Sequence, residues 1–154
     1  MQPIEFQCSQ LIPAPAEVIC AGLADTSRWS EFSGNGILPG IQSAQYEQRT
    51  AAMVGSRIRV RNTDGSEHVE EIYAWVEGQA VGMRLQEFTP PLKYLATHFT
   101  EDWRFEARPS ATFVTRTIRM FPRGPATYPA VWLISRLFRR AIARHLADMA
   151  AAAA

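Results

Sequence analysis

The sequence predicts an α+β fold, an antiparallel β-sheet with one long C-terminal helix, in the order β-α-α-β6-α. Three observations carry this reading. Apolar and polar residues alternate with strand period in successive runs from Arg57 to Met120. Turn signals separate those runs at Asp64-Gly65, Gly78-Gln79, Thr89-Pro90-Pro91 and Pro109-Ser110. From about Thr127 the period becomes 3.6 and holds over roughly 23 residues, a helix about 34 Å long.

Composition frames the rest. The 154 residues are 47% hydrophobic and 20% charged, with a formal net charge of +1, which fits one globular domain over 1–154 and excludes a disordered or fibrous chain. A domain of this size buries roughly 68–70% of the surface its unfolded chain exposes, so it needs no metal or disulfide to fold. Cys8 and Cys20 are too few for a disulfide framework and lack the close spacing of a zinc or redox motif. The N-terminal residues lack the basic and apolar regions of a signal peptide, and no apolar run approaches the ~20 residues of a membrane span. The expectation is a cytoplasmic protein with no transmembrane segment.

The elements follow in order. The first strand runs from about Ile4 to Ile12, closed by Pro13 and Pro15, and Pro15 suits the first turn of a helix. Val18, Ile19, Gly22 and Leu23 then share one apolar face. A second short helix starts at Asp25 or Thr26, carries Trp29 and Phe32, and ends at Gly34-Asn35-Gly36. Arg57-Ile58-Arg59-Val60-Arg61 alternates, apolar on one face and cationic on the other. With Asp64-Gly65 as a two-residue turn, Arg59 would face Glu70 on the outer side. Val69 to Val76 forms the next strand, and Val81, Met83 and Leu85 alternate in the one after. The turns flanking 69–76 imply opposite parities, so this strand must hold a bulge, and its inward face stays open between Tyr73 with Trp75 and Ile72, Ala74 with Val76.

Leu95, Thr97, Phe99, Glu101, Trp103 and Phe105 share one face of the following strand. A two-residue turn at Pro109-Ser110 sets Trp103 across from Arg116 and Phe105 across from Val114. On the last helix Val131, Ile134, Phe138, Ile142, His145 and Met149 form one stripe, with Arg136, Arg140 and Arg144 opposite. Leu133 and Leu137 fall on the arginine side, where they suit a homodimer contact or a shallow membrane-surface contact.

Ile12-Pro13-Ala14-Pro15-Ala16-Glu17-Val18, followed by Asp25-x-x-x-Trp29-x-x-Phe32, resembles the START-related lipid-transfer and polyketide cyclase superfamily over nearly the whole chain. The chain departs from it at Ser33-Gly34-Asn35-Gly36, where members often carry a more apolar, proline-containing stretch. The resemblance implies the helix-grip fold, with a cavity for an apolar ligand between sheet and helix. The residues agree: a curved sheet with one helix leaves a void unless the inward side chains fill it, and pockets of this kind are apolar with a few polar anchors. The large aromatic candidates for that interior are Trp29, Phe32, Phe88, Tyr94, Phe99, Trp103 and Phe105.

Trp29, Phe32, Met83, Leu85, Phe99, Trp103 and Ile118 are the candidate sheet-side walls. Phe138, Ile142 and His145 face them from the helix. Glu101 and Arg116 fall on faces that should be apolar and would be diagonal neighbours, either a plain ion pair with Arg116 stacked on Trp103 or polar anchors for a ligand carboxylate or ketone. The leading expectation is a non-catalytic carrier or sensor of a small hydrophobic molecule such as a lipid, polyketide or quinone. The second is a cyclase or dehydratase using Glu101 with Arg116 as acid/base. The third is a protein-interaction module with a collapsed interior.

Other chemistries lack their residues. His68, His98 and His145 match no metal spacing, and neither a cofactor nor a metal is expected. Residues 1–103 carry seven basic against thirteen acidic side chains, net −6, and residues 104–154 carry nine against two, net +7. No aromatics interleave with those arginines, so no nucleic-acid partner is expected.

Overall fold

The computed structural model describes residues 1–154. Its strands are β1 (Ile4–Ile12), β2 (Ile41–Gln48), β3 (Arg57–Asn62), β4 (Glu67–Val76), β5 (Ala80–Gln86), β6 (Ala96–Arg108) and β7 (Ala111–Pro122). They form one antiparallel sheet in the order β1-β7-β6-β5-β4-β3-β2. Helix α1 (Ala16–Ala24) and a 3₁₀ helix (Thr26–Glu31) link β1 to β2, α2 (Leu92–Leu95) precedes β6, and α3 (Tyr128–Ala153) ends the chain. The second short helix is therefore 3₁₀, capped by the Asp25 carboxylate, which accepts the Ser27 backbone N–H at 3.1 Å. No helix is long and apolar enough to cross a membrane.

The register of β6 with β7 is the one the short turn predicts. Arg108 pairs with Ala111, Trp103 with Arg116 and Phe105 with Val114. The register of β3 with β4 is not. The turn holds three residues, Thr63 to Gly65, closed by a 2.8 Å bond from Asn62 N–H to Ser66 C=O. Gly65 lies at φ +87, the left-handed residue that ends a three-residue hairpin loop. The pairing slips by one, so Arg59 faces Val69 rather than Glu70. Such a slip moves side chains to the other face. Glu70 and His68 turn inward opposite Ile58 and Val60, and Glu67 takes Arg59 and Arg61 at 3.6 and 3.2 Å.

The bulge in β4 lies between Ile72 and Ala74. Ile72 points into the core before it and Trp75 after it, while Tyr73 points out. A second bulge, between Ala96 and His98, leaves Thr97 exposed. Leu95 and Tyr94 belong to α2, and Tyr94 is exposed. Thr97 and Tyr94 are thus corrected, since neither faces the interior, whereas Leu95, although on α2 rather than β6, still packs against the core. Strand β2, which no alternation delimits, is an edge strand with irregular register near both ends and only Ala44 fully buried.

Helix α3 seats closely on β1 and β7. Phe138 meets Phe6 edge-on, with ring centroids 5.9 Å apart. Val131, Ser135, Ala141, Ile142 and Leu146 are its buried residues, and Arg136, Arg140 and Arg144 are exposed.

Candidate functional site

Between the concave sheet and α3 lies a two-lobed cavity. One lobe, about 300 Å³, is walled by Ile19 and Leu23 of α1 and by Trp29, Met83, Trp103 and His145. The other, about 320 Å³, is walled by Leu85, Phe88, Phe99, Leu137, Phe138 and Ile142. Five residues border both: Phe32, Ile41, Glu70, Glu101 and Arg116. The void lies where α3, seated on β1 and β7, leaves the inner faces of β4 and β5 without close helix contact.

Of the twelve residues expected at the site, eleven line it. Ile118 does not; it is fully buried within the sheet-side core and forms no wall. It sits opposite Glu101 in the register, on β7, where α3 rests on the sheet. Leu133 and Leu137 also separate: Leu133 is 53% exposed, whereas Leu137 is half-buried over the second lobe. They do not make one outward patch.

The polar centre is a closed circuit. Arg116 and Glu101 are only 4% and 7% exposed. Arg116 Nη2 donates to Glu101 Oε2 at 2.9 Å, and Trp103 Nε1–H donates to Glu101 Oε1 at 2.9 Å. The guanidinium lies 4.1 Å from the Trp103 ring centroid, stacked as a cation on an aromatic face. Its Nη1 donates to His145 Nδ1 at 2.9 Å. A guanidinium has no acceptor, so Nδ1 must accept and the proton of the neutral imidazole sits on Nε2. Burial, then the Arg116 and Arg28 charges, push the His145 pKa down to about 3. Arg116 Nε has no partner but is sealed inside the wall. Arg116 thus commits one N–H from each Nη to the protein, to Glu101 and to His145, while it borders both lobes of the cavity.

A second pair, not anticipated from the residues, lies on β4. His68 and Glu70 are 8% and 6% exposed, and His68 Nε2 meets Glu70 Oε2 at 3.1 Å. The signal that could have found them was the parity clash between the turns flanking this strand; a three-residue turn at Gly65 turns both inward. Nowhere do three His, Cys, Asp or Glu side chains gather closely enough to hold a metal.

The comparisons agree with this architecture. The family described as polyketide cyclase/dehydrase and lipid transport matches residues 3–154. The chain belongs to this family. No curated protein matches it. Among solved structures, the Zhui aromatase/cyclase of a Streptomyces species is similar at TM-score 0.74 and 13% identity, over 96% of this chain and 93% of that one. A START superfamily protein from Mycobacterium smegmatis is similar at TM-score 0.64 and 13% identity, over 94% and 98%. Ginseng major latex-like protein 151 from Panax ginseng is similar at TM-score 0.60 and 20% identity, over 94% and 98%. At these identities the likeness is one of fold, and that fold is the helix-grip.

Proposed function

We propose that this family member is a carrier or sensor that holds a small hydrophobic molecule, lipid, polyketide or quinone-like, in the cavity between sheet and α3. The observation that carries the reading is the unfilled space itself, two apolar lobes of about 300 and 320 Å³ meeting at one buried polar centre. A cleft of this size and lining lets a small apolar ligand shed water while keeping a few oriented polar contacts. Its two free cysteines suit a reducing compartment, so we place this carrier in the cytoplasm.

A second reading, a cyclase or dehydratase in the same cavity, rests on the family description and on the buried carboxylate of Glu101. Arg116 and Trp103 each hold one oxygen of that carboxylate, a structural role the enzyme reading does not require, and this ranks it below the first.

The test is a titration of the purified chain with N-phenyl-1-naphthylamine, a neutral probe that fluoresces in apolar surroundings. Saturable binding with one site is expected, weakened at least tenfold in Met83→Trp or Leu85→Trp, which fill one lobe each. Absence of saturable binding, or binding unchanged by both substitutions, would overturn the carrier reading.

A further inference from the structure

Resting on the carrier reading, we infer that the cavity selects neutral apolar molecules bearing a central hydroxyl and rejects carboxylates, because Glu70 and His145 present an acceptor and a donor from facing walls. Both residues border the first lobe, Glu70 from β4 and His145 from α3.

The argument is one of leftover hydrogen-bonding capacity. Glu70 Oε2 is held by His68, but Oε1 has no partner in the protein. Arg116 Nε is the one sealed side-chain polar atom without a partner, so Glu70 Oε1 opens on the cavity. The same reasoning applies to His145: Nδ1 is taken by Arg116, and Nε2–H is neither bonded nor sealed. A ligand O–H satisfies the free Glu70 acceptor, and a ligand carboxylate does not. The hydroxyl is amphoteric; it donates to Glu70 and its lone pairs accept from His145.

Charge points the same way. Four carboxylates, Glu31, Asp64, Glu70 and Glu101, border the cavity against two guanidiniums, and these are paired: Arg28 with Glu31 at 3.3 Å and Arg116 with Glu101 at 2.9 Å. A ligand anion would enter a low-dielectric space whose free wall group is another carboxylate. The lobes on either side of this centre are apolar, so the hydroxyl belongs in the middle of the ligand, with apolar parts extending both ways.

Three fluorescent three-ring probes substituted at the central ring test this: 9-anthracenemethanol, its methyl ether, and 9-anthracenecarboxylate. Titrated into the native chain at neutral pH, the alcohol binds tightest, with ether and carboxylate each at least fivefold weaker. In Glu70→Gln, whose amide donates as well as accepts, the gap between alcohol and carboxylate narrows at least threefold. Ether or carboxylate binding as tightly as the alcohol would overturn the inference, as would a gap unmoved in Glu70→Gln. The alcohol-to-ether ratio needs no variant, so the test survives a substitution that impairs folding. If N-phenyl-1-naphthylamine binds while the three probes show no such order, the inference fails and the carrier reading stands; if nothing binds, both fail.

Discussion

Arg116 and His145 share a 2.9 Å hydrogen bond that joins the sheet to the last helix across the floor of the cavity. It settles the imidazole tautomer and couples stability to pH. Because the folded pKa of about 3 lies below the ordinary 6.5, the unfolded chain binds the additional proton. Stability from this residue is complete above about pH 6.5 and is lost as the pH falls toward 3, at up to about 1.4 kcal/mol per pH unit. Chemical denaturation between pH 7 and 4 should show a shallower decline in His145→Gln, whose amide oxygen still accepts from Arg116. Identical slopes in the two proteins would contradict this assignment.

Removing one member of the buried ion pair strands the other. Glu101→Leu is expected to lower stability by about 3–5 kcal/mol, whereas Glu101→Leu combined with Arg116→Met costs less than Glu101→Leu alone. Urea midpoints of the three chains measure this directly. A double variant less stable than either single one would show that the pair contributes more than it costs to bury.

On the outer face the Tyr73 ring lies flat over Gly82, where an added Cβ would sit 2.5 Å from Tyr73 Cε2. Gly82→Ala should therefore cost about 1–3 kcal/mol through overpacking. In a Tyr73→Ala background the same substitution should cost much less, because the contact is gone. Thermal melts of the four proteins complete the cycle, and additive losses would rule out the clash.

The two leucines of α3 should part in function as they do in exposure. Leu137→Glu places a charge over the second lobe and is expected to weaken N-phenyl-1-naphthylamine binding at least tenfold. Leu133→Glu, at an exposed position, should leave that affinity unchanged. Equal effects from both would mean that Leu137 does not line the cavity.

Much of the site is legible from local pattern alone. Strand alternation places Phe99, Glu101 and Trp103 on one face, and a two-residue turn sets Trp103 opposite Arg116, because pairing near a tight turn is a matter of counting. Helical periodicity likewise brings Phe138, Ile142 and His145 to the cavity. His68 and Glu70 escape this reading for a specific reason. Asp64-Gly65 fits a two-residue or a three-residue turn, the choice differs by one residue, and one residue inverts the face.

Alternation, turn chemistry and helical period are local properties, so the chain's order of elements, its antiparallel sheet and its amphipathic last helix follow from the residues directly. Three things waited on the packed molecule: the turn length that brings Glu70 inside, the bulge in β4 between Ile72 and Ala74, and the meeting of Arg116 with Glu101, Trp103 and His145. Each depends on which distant groups meet, and the meeting is decided by the filling of shared space and the satisfaction of buried polar atoms, neither of which any short stretch of sequence contains.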